Sequence, residues 1–207
     1  MTNKIENKSQ TEASQYLANI ISIFVSPPTM AILATVSFSL WSPIGLGSLY
    51  PSWTIMLCLF LFVLVPFSPV LYFYKKNVID LYVSKREKRT PFFLIAITSY
   101  SIATIIFFAT NTRIIFLLAL GYTSVSVVLL VVNLFWKVST HCAGVTGPIF
   151  ALFFVFGTKA LPLFLIIILV CWSRIKLKNH TFSQTFVGSL ISLTVGLVEY
   201  NVLYPLA

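Results

Sequence analysis

Long apolar runs separated by short polar breaks make up almost the whole chain. A spanning helix needs about 20 apolar residues, and the pattern predicts seven segments near that length. The first runs from Tyr16 to about Trp41 and is interrupted by Pro27-Pro28, so it is kinked there or begins as an interfacial segment. Further runs cover Trp53–Tyr74, Pro91–Ala109, a stretch from Arg113 to Trp136, one ending near Phe156, one reaching Trp172, and Thr181–Tyr204. Pro91 stands where a helix start tolerates proline. Asn111-Thr112-Arg113 and Gly157-Thr158-Lys159 read as turns. With the double proline in the first run, six crossings is the alternative to seven. Residues 1–14 are polar and read as a short frayed tail, without the basic-then-apolar order of a cleaved signal peptide. Residues 15–207 then form a single membrane domain.

Composition supports an all-α integral membrane protein. Of the 207 residues, 58% are hydrophobic and 9% charged, with a mean hydropathy of +0.94. Soluble domains carry about 25% charged residues, so this chain lacks the polar surface to wrap a water-soluble globule. That excludes soluble dinucleotide-binding enzymes, disordered tails and disulfide scaffolds. Three cysteines without paired spacing suggest neither a disulfide framework nor a zinc site.

Charge adds an orientation. Fourteen Lys and Arg against five Asp and Glu give a formal net charge of +9. Seven crossings put the N-terminus and residues 75–90, 137–140 and 173–180 on one side. Twelve of the cations then share that side, and only Arg113 and Lys159 lie opposite. This bias predicts that the basic side is cytoplasmic. The same cations suit an anionic substrate. In a membrane protein they give no reason to expect nucleic acid.

Candidate chemistry gathers on the basic side. The chain's two histidines, His141 and His180, both fall at helix starts there, near Arg86, Arg89, Arg174, Ser139 and several lysines. Guanidinium forks match phosphate oxygens, and helix N-termini add backbone donors. One imidazole can attack phosphorus while the other protonates the leaving oxygen. The plainer reading is also open: basic residues at helix ends are usually topology anchors.

Spacing narrows the choice. Ser173-Arg174, five residues, then His180 matches the third signature of the type 2 phosphatidic acid phosphatase superfamily, Ser-Arg-x5-His-x3-Asp. Ser139-Thr140-His141 resembles the second, Pro-Ser-Gly-His, with Val138 for the proline and Thr140 for the glycine. The first, Lys-x6-Arg-Pro, is echoed by Arg89-Thr90-Pro91, with an inserted Thr and with Tyr82 seven residues before Arg89. Arg86, Lys85 or Lys88 would have to supply the missing cation. The closing Asp is here Gln184, and His180-Thr181-x2-Gln184 is similar to the dolichyl-diphosphate phosphatase branch. The resemblance covers roughly residues 80–200.

What it implies is a helical bundle with an active site at one membrane interface. His180 would be the nucleophile, forming a phosphohistidine, with Gln184 orienting it and His141 as general acid. Arg174, Arg89 and Arg86 would hold phosphate oxygens, assisted by Lys85, Ser139 and Ser173. No metal or cofactor is expected. The expected partners are a lipid phosphate substrate and membrane lipids, with a polyprenyl mono- or diphosphate, phosphatidate and phosphatidylglycerophosphate not separated. Two rivals stay open: a lipid-phosphate binder without catalysis, and a transporter of anionic lipid.

Overall fold

The computed structural model describes the backbone of residues 2–204 and the side chains of residues 12–204. Among them there is no strand. The helices are α1 (Thr2–Phe24), α2 (Pro27–Trp41), α3 (Pro51–Lys75), α4 (Thr90–Ala109), α5 (Arg113–Phe135), α6 (Thr140–Phe156), α7 (Phe164–Lys176) and α8 (Phe182–Leu203). The chain is an all-α bundle of helices apolar enough for a membrane. The expected tail is corrected: α1 begins at Thr2, and no Gly or Pro stands before Pro27 to end a helix. The side chains of Lys4 and Lys8, and residue Ala207, lie outside the described residues.

The double proline sets a break rather than a kink within one helix. The axes of α1 and α2 meet at 45°, with Pro27 and Pro28 opening α2. Thr29 bridges the break: its hydroxyl accepts from the Ser26 N–H at 2.9 Å and donates to the Phe24 carbonyl at 2.8 Å. In α3 a π-helical segment, Leu59–Leu64, widens the turn. Widening frees the Leu61 carbonyl, which accepts from the Ser99 hydroxyl of α4 at 2.7 Å.

Residues Thr140–Lys176 form one apolar run of 37 residues. As a straight helix it would be about 55 Å long, well beyond a hydrocarbon layer of about 30 Å. It folds back instead. Gly157, at φ +60°, ends α6, and the 3₁₀ segment Gly157–Leu163 turns the chain into α7. The return brings Val170 of α7 beside Cys142 and Val145 of α6. Among the described residues five helical runs are long and apolar enough to cross a membrane, or six with the bent α1–α2 pair counted as one span.

All the basic connections meet at one end of the bundle. Arg89 donates to the Val138 carbonyl at 2.9 Å, Lys137 to the Asn179 carbonyl at 2.9 Å, and the Ser139 N–H to the Gln184 carbonyl at 3.1 Å. At the opposite end, which carries Arg113 and Lys159, the Ser48 hydroxyl donates to the Thr110 carbonyl at 2.6 Å.

Small residues let α6 and α8 approach closely. A Cβ built on Gly188 would stand 2.5 Å from the Ser139 carbonyl oxygen, so only glycine fits against that backbone. Overpacking of this kind costs about 1–3 kcal/mol. Gly188→Ala should therefore lower the thermal midpoint in detergent by several degrees. Gly147→Ala, whose added carbon meets only the rotatable Ser192 hydroxyl, should cost less. Equal midpoints for the two variants would refute the close contact.

Candidate active site

His180 lies between α7 and α8, and both neighbours fix it. The Arg174 carbonyl accepts from the N–H groups of Asn179 and His180, turning the chain at the end of α7. Thr181 then caps α8. Its hydroxyl accepts from the Gln184 N–H at 3.4 Å, while Gln184 Oε1 accepts from the Thr181 N–H at 3.2 Å, a reciprocal capping box. The same Oε1 lies 3.0 Å from His180 Nδ1. An amide oxygen can only accept, so Nδ1 carries the proton and the neutral ring has its lone pair on Nε2.

His141 occupies the second position of α6, after the cap at Ser139. Its Nε2 lies 2.8 Å from the Val25 carbonyl at the α1–α2 break, so this nitrogen donates and Nδ1 is the acceptor of the neutral ring. Arg174, 2% exposed, donates through Nη1 to the Ser22 hydroxyl at 2.7 Å, and its Nε is buried without a partner. Its guanidinium lies 4.2 Å from the Tyr82 ring centroid. Arg89, 5% exposed, donates to the carbonyls of Val83 at 2.8 Å and Val138 at 2.9 Å. Both arginines are thus held by neutral groups. Among the described residues the one side-chain ion pair, Arg86–Glu87 at 3.5 Å, lies apart from them on the surface.

His180, His141, Arg89, Arg174 and Tyr82 line one cavity of about 490 Å³. One wall is apolar and runs between α3 and α4 through Phe62, Phe67, Val70, Phe92 and Phe93. The cavity therefore joins a cationic head region to a greasy arm, partly formed by the π-helical segment.

The electrostatics follow from burial. Desolvation, then the positive charge of Arg89, pushes the His180 imidazole down to about 3, against the bond that Nδ1 donates to Gln184, which favours protonation. Desolvation and the neighbouring Arg174 bring Arg89 down to about 10, which still leaves it charged at neutral pH. The negative charge of Asp80 acts on both Arg89 and Arg174. Burial raises its pKa, but hydrogen bonds from Ser84 and Tyr82 outweigh this and hold it below the ordinary value.

Five residues named from the sequence do not line the cavity, the first being Gln184, which touches it only through His180. Arg86 turns to the end of α5, donating to the Asn133 carbonyl at 3.1 Å and to the Leu134 carbonyl; orphan carbonyls at a helix C-terminus attract a cation. Lys85 is exposed. Ser139 is fully buried, and its hydroxyl accepts from the Cys142 N–H as the cap of α6. Ser173 is fully buried too, its hydroxyl bonded to the Val170 carbonyl at 2.8 Å. Tyr82, Ser22 and Val25 were not legible as site residues. Tyr82 had one signal, its place seven residues before Arg89.

No family model, curated protein or solved structure matches this chain. Among the described residues no three His, Cys, Asp or Glu side chains are grouped to hold a metal ion.

The low basicity of His180 has a pH signature. An unfolded imidazole titrates near 6.5, whereas the folded one stays neutral down to about 3. As pH falls through that window the unfolded chain takes up the proton first, so stability from this group is full above 6.5 and declines below it. His180→Asn keeps an N–H donor and removes the titration. Between pH 7 and pH 5 the wild-type midpoint should fall further than that of His180→Asn; parallel losses would mean the imidazole titrates normally.

Proposed function

We propose that this protein is a membrane lipid-phosphate phosphatase that works through a phosphohistidine on His180. The observation that carries the reading is the pair Arg89 and Arg174. Both are almost fully buried, neither has a carboxylate partner, and they share a cavity with an imidazole whose Nε2 is bare. Burying uncompensated charge is costly. A phosphate group is the ligand whose oxygens would accept from both guanidiniums, and the apolar arm beside them suits a lipid tail.

In the proposed reaction Nε2 of His180 attacks phosphorus and the bond from phosphorus to the bridging oxygen breaks. For this step His141 must carry a second proton on Nδ1, the nitrogen not engaged by Val25, and gives it to that leaving oxygen. Nδ1 of neutral His141 then takes a proton from water, whose oxygen bonds to phosphorus as the bond to Nε2 breaks, returning the lone pair to His180 and releasing inorganic phosphate. The arginines carry the developing charge on the non-bridging oxygens. Gln184 keeps Nδ1 as the donor throughout.

The basic end, which carries the site, is proposed to face the cytoplasm, on the asymmetry of the charges. A polyprenyl mono- or diphosphate fits the single apolar arm and is the substrate class to test first. Transport fits less well, because the charged groups sit at one end of the bundle rather than at a midplane site.

Purified protein should release phosphate from a prenyl mono- or diphosphate, and EDTA should leave the rate unchanged. His180→Ala should abolish turnover. Gln184→Ala should slow it about 10²-fold by loosening the imidazole, and Gln184→Glu should restore the orientation. Wild-type protein that binds the lipid phosphate but releases nothing would instead identify a binder.

Sidedness has its own test. With Cys171 replaced by Ser, a cysteine at exposed Lys159 should react with an impermeant reagent from outside intact cells, and one at Lys85 should not. The reverse labelling would put the site outside.

A further inference from the structure

The greasy arm of the cavity has a definite end. Three helices line it, α3 from Val70 back to Phe62, α4 from Phe92 to Tyr100, and α5 from Leu129 back to Tyr122. Val70, Phe92 and Leu129 lie toward the basic end of the bundle, and the three rings lie farthest from it. At the rise of an α-helix the arm is about 12 Å deep, roughly two to three extended isoprene units.

At that depth Phe62, Tyr100 and Tyr122 meet ring to ring, one from each helix. The centroids of the first two are 6.0 Å apart, and each lies 5.1 Å from that of Tyr122. Beyond them the interior is filled. Phe107, two turns further along α4, packs against Phe62 at 6.4 Å and is fully buried. Cys58, one turn further along α3, and Ala103 of α4 are buried too. The Ser99 hydroxyl donates to the Leu61 carbonyl, so the residues just before Tyr100 and Phe62 are tied across the two helices. The floor of the arm is held in place.

Tyr122 differs from its two partners. A second, smaller cavity of about 40 Å³ adjoins it, among Gly121, Gly147, Gly196 and Tyr200. Tyr122, Val125 and Gly144 line both spaces, and the Tyr122 ring is the largest group between them. Its hydroxyl is buried with no hydrogen-bond partner among the described residues. Packing, not hydrogen bonding, keeps this ring where it is.

We propose that the three rings set the length of the lipid tail, with Tyr122 as the specificity-determining residue. The site then prefers a short prenyl phosphate whose tail ends on them. This rests on the lipid-phosphate reading of the cavity given above. A shorter tail leaves apolar wall unfilled, and a longer one must bend back or displace a ring. Small differences in fit to an apolar pocket are worth about tenfold or more in discrimination.

The purified full chain is assayed for phosphate release, and for binding by calorimetry, with geranyl, farnesyl, geranylgeranyl and long polyprenyl monophosphates. Farnesyl phosphate should give the highest kcat/KM, with geranylgeranyl and longer tails about tenfold or more below it. Tyr122→Ala joins the two cavities and should move the preference to geranylgeranyl phosphate. Tyr122→Phe keeps the ring and should keep the wild-type order of tails. Ala96→Phe fills the arm one turn before Tyr100 and should move the preference to geranyl phosphate. Opposite shifts of this kind cannot come from a general loss of stability. Equal kcat/KM for all tails in the wild type overturns the proposal and leaves the phosphatase reading intact. So does an unchanged order of tails in both Tyr122→Ala and Ala96→Phe. Wild-type protein that binds the tails in the expected order and releases no phosphate overturns the phosphatase reading alone. Protein that neither binds nor hydrolyses them overturns both.

Discussion

Positive charge without a carboxylate in contact with it governs this structure. Arg89 and Arg174 are taken out of water and surrounded by carbonyl and hydroxyl oxygens rather than by carboxylates. Neutral acceptors orient a guanidinium without cancelling it. The cavity therefore keeps a field that favours anions and opposes a proton on His180. The loop that presents Tyr82, the segment before α6 and the last turn of α1 supply those oxygens.

Helix termini do this work because they are where backbone groups lack partners. Arg86 settles on the last carbonyls of α5, Ser139 caps α6, and Thr181 caps α8. Each of these contacts costs a candidate residue its freedom to meet a ligand, and each places a neighbouring one. Ser139 is spent on a cap so that His141, two residues on, enters α6 facing the cavity. The same logic applies to Arg86 and Arg89, three residues apart: one fastens the connection to α5 and the other turns inward.

The sequence made the helices and the core of the candidate site legible, because apolar runs of spanning length and the spacing from Arg174 to His180 are local patterns. What escaped depends on contacts between distant segments. The bonds from His141 to Val25 and from Arg174 to Ser22 join residues more than a hundred positions apart, and nothing near Ser22 marks it as a partner. Arg86 and Ser173 were misread because residue type and spacing cannot say whether a polar side chain bonds its own backbone or faces a cavity. The helical start of α1 was missed because polarity suggested a tail, although no residue there breaks a helix.

One oxygen atom, Oε1 of Gln184, both closes the first turn of α8 and orients the His180 ring. Local order and chemical readiness are therefore a single equilibrium. A molecule in which that turn has frayed has lost its aligned imidazole even if the bundle is otherwise intact, and only the fraction with the turn closed is competent. A lipid or partner that merely steadied or loosened these few residues would thus act as a rheostat on the site without touching the cavity.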